Sequence, residues 1–313
     1  MTKPVAMLFP GQGAQAVGMG MALADRFDVF RQWLQRAEQA ADLPLIRLLR
    51  ESPEDELRLT ENLQPALLTV EIGVWLALRE VADFAVVAAA GHSLGEYAAL
   101  VAAGALDAEQ AVAVVRRRGR HMQEATPPGE GGMAAVMGLD AAVVSAQCET
   151  ASDDNAQVWL SNDNCDGQVV VSGHLPAIER VTPLLKDAGA RRVIPLKVSA
   201  PFHCPLMQPA ADRLQADLAK LAVNDPVFPV IANHSAAPYT SAGDVVPGLL
   251  AQVVAPVRFR ETLLALADTD AELAIEAGPG KVLAGLARRT VPNMLVMGAH
   301  ESEQIDALAK ELA

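Results

Sequence analysis

The sequence predicts an α/β protein, a parallel sheet covered by helices, with a smaller βαββαβ unit inserted into it. Strand and helix signals alternate through the first 125 residues, the order expected when parallel strands are joined by crossover helices. At Thr126-Pro127-Pro128-Gly129-Glu130-Gly131-Gly132 a run of turn-forming residues punctuates the chain, and the elements become shorter. Past Val198 long helices and buried strands return. The chain therefore divides into a discontinuous large unit, residues 1–125 and 198–313, and an insert, residues 126–197.

The apolar run at 5–9 reads as the first strand. Amphipathic segments around 19–41 and 64–81 read as helices. Residues 85–90 are uniformly apolar and read as a buried strand; the stretch from Leu94 to Ala102 reads as the helix after it. Asp107, with Gln110 at the capping-box position, opens another helix. The insert offers a strand at 133–137, a helix at 141–151, strands at 158–161 and 168–172, a helix at 176–188 and a strand at 192–196. That is the order of a small ferredoxin-like unit. Strands at 227–232 and 272–276, set among helices, complete the large unit.

A chain of 313 residues buries a substantial core without staples. Its three cysteines are an odd number with no C-x-x-C spacing, so neither a disulfide framework nor a metal site is expected. Lys and Arg total 25 against 38 Asp and Glu, a net charge of −13, which argues against nucleic acid as a partner. The N-terminal apolar stretch is too short for a secretory signal and no run could span a bilayer. A cytoplasmic protein, monomeric and without bound cofactor, is the expectation. Basic clusters at Arg116-Arg117-Arg118 with Arg120, at Arg191-Arg192 and at Lys281 with Arg288-Arg289 are either solvated faces or local docking sites for an acidic partner.

Gly91-His92-Ser93-Leu94-Gly95-Glu96 joins the buried strand to its helix. A strand that turns at once into a helix strains its turn residue and needs small neighbours, the pattern of a nucleophile elbow. Ser93 is presented there as a nucleophile beside the first N–H groups of the new helix. Phe9-Pro10-Gly11-Gln12-Gly13 follows the first strand, but Ala16 stands where a dinucleotide-binding fingerprint needs its third glycine. A tight turn whose N–H groups complete an oxyanion hole fits better. Of six histidines, His203 lies in the proline-bounded turn Pro201-Phe202-His203-Cys204-Pro205 and is the candidate base; His92 supports the elbow. No acidic third member announces itself, and a backbone carbonyl could orient the imidazole.

Arg118 is the most independent clue. It falls on the apolar stripe formed by Ala111, Val115 and Met122, away from Arg116, Arg117 and Arg120. A buried guanidinium needs an anion. Either an internal Asp or Glu supplies it, or a substrate carboxylate does, held by the planar fork.

Taken together, Gly-His-Ser-Leu-Gly-Glu around Ser93, Phe-Pro-Gly-Gln-Gly after the first strand, Pro-Phe-His-Cys around His203, Arg118-Gly119, Asn164-Cys165-Asp166-Gly167-Gln168, Gln252-Val253-Val254-Ala255-Pro256-Val257-Arg258-Phe259 and Glu276-Ala277-Gly278-Pro279-Gly280-Lys281 give a chain that resembles the malonyl-CoA:acyl carrier protein transacylases of bacterial fatty-acid synthesis over almost its whole length. The resemblance implies a large subdomain related to the α/β-hydrolases with a ferredoxin-like subdomain inserted. It implies Ser93 as nucleophile, His203 as base, the backbone N–H groups of Gln12 and Leu94 as oxyanion hole, Arg118 as clamp on the malonyl carboxylate, and the backbone carbonyl of Gln252 as the group that orients the histidine. The implied reaction is ping-pong: malonyl-CoA acylates Ser93, coenzyme A leaves, and the phosphopantetheine thiol of acyl carrier protein takes the acyl group. Ala14 and Phe202 depart from residues common in the family, and the bulk of Phe202 would crowd a methyl branch on the acyl group. The rival readings are a serine esterase or thioesterase, a non-catalytic malonyl-CoA-binding module, and a malonyl transacylase of malonate decarboxylase or of a polyketide pathway.

Overall fold

A computed structural model describes residues 2–198 and 200–312; Met1, Ser199 and Ala313 lie outside the described residues, Ser199 in the segment read as the return to the large unit. In chain order the elements are β1 (Pro4–Phe9), α1 (Met21–Arg26), α2 (Asp28–Ala41), α3 (Leu45–Glu51), α4 (Glu54–Arg58), α5 (Thr60–Val81), β2 (Ala85–Gly91), α6 (Gly95–Ala102) and α7 (Ala108–Gln123). Then come β3 (Gly131–Met137), α8 (Ala141–Ala151), β4 (Val158–Cys165), β5 (Gln168–His174), α9 (Leu175–Asp187) and β6 (Arg192–Pro195). The chain closes with α10 (Gln208–Leu218), β7 (Val230–Ile231), α11 (Ala242–Val254), α12 (Phe259–Ala267), β8 (Leu273–Glu276), α13 (Val282–Thr290), β9 (Val296–Gly298) and α14 (Ser302–Leu312).

β1 lies at the centre of a five-stranded sheet of order β7-β2-β1-β8-β9, and every pair in it is parallel. Its residues show why. Val5, Met7 and Phe9 enter one apolar core and Ala6 and Leu8 the other, so both faces are covered, as a parallel sheet requires. Register sets Phe9 opposite Gly91 and Leu8 opposite Glu276. The carboxyl ends of β1, β2 and β8 therefore meet at one edge, where ligands bind in open α/β sheets.

The second sheet is antiparallel, of order β4-β5-β3-β6, and α8 and α9 close a separate core with it. Its β4 is tied to the large sheet's side of the molecule: Asp163 donates its backbone N–H to Val257 O at 2.9 Å, and Val257 donates its own to Ser161 O at 2.9 Å. No described helix is long and apolar enough to cross a membrane.

Local differences from the sequence reading have identifiable causes. The amphipathic segment at 19–41 is broken at Phe27, which is extended (φ −105°, ψ 117°) and turns the chain between α1 and α2. The strand expected at 227–232 shrinks to Val230–Ile231. Pro226 and Pro229 lack the N–H a ladder needs, and Val227 is 79% exposed. Conversely β4 and β5 run beyond 161 and 172, joined by the two-residue turn Asp166-Gly167 with Gly167 at φ 68°. The short α3 and α4 were not anticipated.

Candidate active site

β2 ends at Gly91 and α6 begins at Gly95, leaving three residues for the reversal. Ser93 sits in the left-handed region at φ 51°. The turn is tight enough that a Cβ on Gly91 would stand 1.8 Å from the Gly95 carbonyl carbon, and one on Gly95 would stand 2.1 Å from Phe9 O. Only glycine fits either position. Asn233, beyond β7, pins the strained turn from below: its Oδ1 accepts the Ser93 N–H at 2.6 Å and its Nδ2 donates to Gly91 O at 2.7 Å.

Ser93 Oγ lies 2.8 Å from His203 Nε2. On its other side the imidazole donates from Nδ1 to Gln252 O, also at 2.8 Å, which fixes the tautomer with Nε2 free to accept the serine proton. Burial, and after it the positive charge of Arg118, hold the imidazole down at about 3. It is therefore neutral at pH 7. No carboxylate touches it among the described residues; a backbone carbonyl takes that place.

Arg118 is 1% exposed. Gly119 after it lets α7 close on α5, since a Cβ there would stand 2.5 Å from Thr60 O. The guanidinium then donates from Nη1 to Gln64 Oε1 at 2.7 Å, and from Nη2 to Gln252 Oε1 at 2.8 Å and Ser93 Oγ at 3.1 Å. Nε has no hydrogen-bond partner among the described residues. Of the two readings open in the sequence, neither a direct Asp nor a direct Glu partner is found among the described residues. Glu96 is one side chain away, linked by Gln252, whose Nε2 donates to Glu96 Oε2 at 2.8 Å and to Ser93 O at 2.9 Å. Burial pushes the Glu96 carboxyl up, but donors from Tyr239, Gln252 and the Asn233 backbone oppose it.

The structure thus brings Ser93, His203, Arg118 and Gln252 to one point. Gln12 lies in the turn after β1, beside the elbow: His92 donates to Phe9 O at 2.9 Å. Around the elbow the N–H of Ser93 goes to Asn233, and those of Gly95 and Glu96 go to His92 O and Ser93 O. The N–H groups of Leu94 and Gln12 have no hydrogen-bond partner among the described residues. His92 is turned from Ser93's chemistry, donating from Nε2 to Asn164 Oδ1 at 2.8 Å and packing on Phe259 at 5.0 Å.

Sequence reasoning missed Asn233, Gln64 and the side chains of Gln252 and Glu96. Two of these had a signal: Gln64 and Glu96 are polar residues set among apolar neighbours on their helices, and both are fully buried. Asn233 had none, because its role depends on β7 lying beside β2.

A buried serine–histidine pair with a guanidinium on the serine oxygen and unpartnered N–H groups beside it can perform acyl transfer. The known proteins agree. Residues 6–311 match the acyl transferase domain family. The chain is 41% identical over 311 residues, 98% of its length and 97% of the relative's, to the malonyl CoA-acyl carrier protein transacylase of Bacillus subtilis. It is similar to the solved malonyl CoA-acyl carrier protein transacylase of Coxiella burnetii, with TM-score 0.96, 38% identity and coverage of 100% of this chain and 98% of that one. A malonyl-transacylase solved in complex with a type II polyketide acyl carrier protein gives TM-score 0.95 and 38% identity, covering 99% and 100% of the two chains. This chain, an acyltransferase, belongs to the acyl transferase domain family.

Proposed function

We infer that the chain transfers a malonyl group from malonyl-CoA to the phosphopantetheine thiol of acyl carrier protein, supplying fatty-acid synthesis. The observation that carries the reading is Arg118: a buried cation with no directly paired carboxylate among the described residues, donating to the nucleophile's own oxygen. Its Nε–H and Nη2 share one edge of the guanidinium, and Nε lacks a partner. A carboxylate two carbons from a thioester carbonyl is the acyl chemistry that such an edge beside Ser93 selects.

In the first half-reaction Ser93 Oγ attacks the thioester carbonyl while His203 Nε2 takes its proton. The oxyanion forms against the N–H groups of Leu94 and Gln12, whose lack of other partners supports this role; each contributes on the order of 3 kcal/mol in the transition state. His203 returns the proton to the coenzyme A thiolate as it leaves. In the second half the carrier thiol gives its proton to His203 and attacks the malonyl ester, and Ser93 recovers its proton. The two steps balance without a metal or bound cofactor. Malonyl-CoA and acyl carrier protein are the partners, and the names of the relatives support both.

The division into 1–125 with 198–313 and 126–197 is part of the same reading. Strands of the parallel sheet come from residues 4–91 and 230–298, those of the antiparallel sheet from 131–195. The βαββαβ order and the strand order of the small sheet support a ferredoxin-like insert, and the elbow supports an α/β-hydrolase-like large subdomain. One chain supplies every group in the dyad, so a monomer suffices, and the cytoplasm is its place of work.

The test is to mix the enzyme with malonyl-CoA, quench, and weigh the protein and its peptides. A malonyl adduct on Ser93 that is discharged by holo-acyl carrier protein faster than by water is the expected result. No adduct would leave only a binding module, and equal discharge by water would leave a hydrolase.

A further inference from the structure

Arg118 does more here than wait for a carboxylate: it donates to Ser93 Oγ at 3.1 Å while His203 Nε2 stands 2.8 Å from the same oxygen. Resting on the reading that Ser93 is the nucleophile and Arg118 the clamp, we propose that Arg118 masks Ser93 until the carboxylate of the incoming acyl group takes its Nε–Nη2 edge, so that the substrate class itself switches the nucleophile on.

Three observations carry this. A hydrogen bond from a charged donor ties up a lone pair on Oγ and lowers its nucleophilicity. Of the guanidinium's hydrogen bonds to Gln64, Gln252 and Ser93, the one to Ser93 is the longest; those to Gln64 and Gln252, at 2.7 and 2.8 Å, hold the group in place. And Nε, on the same edge as Nη2, is buried and makes no well-formed hydrogen bond among the described residues; its guanidinium has only the neutral Tyr97 ring and hydroxyl beside it there, not a carboxylate. An acyl carboxylate that takes Nε and Nη2 gains two charge-assisted bonds and draws Nη2 from Ser93. It also neutralises the nearest cation to His203. The titratable groups acting on that imidazole are Arg118 from α7 and His92 from the elbow, and both oppose its protonation. Occupying Arg118 makes the imidazole a better base at the moment the thioester arrives. A monocarboxylic acyl group such as acetyl leaves the mask in place, so discrimination acts on reactivity as well as on binding.

The switch is tested by cutting the substrate in two. The protein is treated with a neutral fluorophosphonate, which carries no carboxylate and phosphonylates Ser93 with loss of fluoride, in sodium formate or in sodium chloride of equal ionic strength. Expected is about a tenfold faster labelling in formate, the worth of one hydrogen bond from a charged donor, and no formate effect in Arg118→Met. Labelling at the same rate in formate and chloride, or a formate effect that persists in Arg118→Met, overturns the switch while leaving Ser93 as nucleophile. Absence of labelling at Ser93 in every condition, with the fluorophosphonate shown to label a serine hydrolase, removes the nucleophile reading and the switch with it.

Discussion

At the scale of single residues, the site is a set of hydrogen-bonding groups arranged around one cation. Arg118 keeps its charge because Gln64 and Gln252 hydrogen-bond it and Glu96 balances it through Gln252. Replacing it, Arg118→Ala, removes at least two charge-assisted bonds to a malonyl carboxylate. Malonyl transfer is expected to fall by about a hundredfold or more, with acetyl-CoA accepted relatively better; competition between the two thioesters measures this, and an unchanged preference would count against the clamp. His203 makes a second test. A base acts only when neutral, and this imidazole is neutral above about 3. The sign is therefore that kcat/KM holds level as pH falls from 8 to 5, where an ordinary histidine would lose its activity through about 6.5. Malonyl-pantetheine, which lacks the nucleotide phosphates, is the substrate for that profile, and a limb near 6.5 would mean a solvated imidazole.

At the scale of elements, α5 holds the odd residue. Glu71 is fully buried in the apolar middle of that helix, neither carboxyl oxygen has a partner among the described residues, and burial pushes the group well above the usual carboxylate range. In the unfolded chain it ionises near about 4.3. Folding therefore binds a proton above that pH, and stability is greatest below it and declines as pH rises toward the raised value. Glu71→Met, similar in length and apolar, is expected to gain about 1–3 kcal/mol at pH 8 and to lose that advantage below about pH 4. Urea unfolding at the two pH values reads it, and a less stable variant at pH 8 would reveal a partner for the carboxylate. Periodicity could not separate Glu71 from Gln64: both are polar residues buried on α5, and the pattern does not say which of them reaches the site. The elbow was legible for the opposite reason: its chemistry is written in consecutive residues, glycine, histidine, serine, leucine, glycine. His203 and Arg118 were legible through a proline-bounded loop and a helix wheel. Asn233 was not, since only the order β7-β2-β1 sets it under Ser93. The strand at 230–231 is shorter than its apolar run suggests because Pro226 and Pro229 deny the ladder its donors.

At the scale of the whole molecule, two sheets with separate cores meet at the nucleophile. The residue before Ser93, His92, carries a bond across from the large sheet's edge to Asn164 on β4 of the small one, at 2.8 Å. Burial holds this imidazole below its ordinary range, with the Asn164 bond as the opposing influence. Deleting the partner leaves a buried ring nitrogen unsatisfied, which costs about 1–3 kcal/mol. Asn164→Ala should therefore lower the midpoint of thermal unfolding by about 2–8 °C. The two backbone bonds through Val257 remain to hold β4 against the large unit, so the variant keeps its fold. Its catalytic effect is expected to exceed that loss: His92 and Ser93 share a strained turn, and an imidazole freed from Asn164 no longer holds that turn in place. A roughly tenfold lower rate of Ser93 acylation in fully folded enzyme, with KM for malonyl-CoA unchanged, is the outcome that makes the small sheet part of the catalytic apparatus. Lower stability with an unchanged acylation rate would reduce Asn164 to a structural tie, one among the links through Val257, Arg260 and Arg289 that join the small sheet to the large unit.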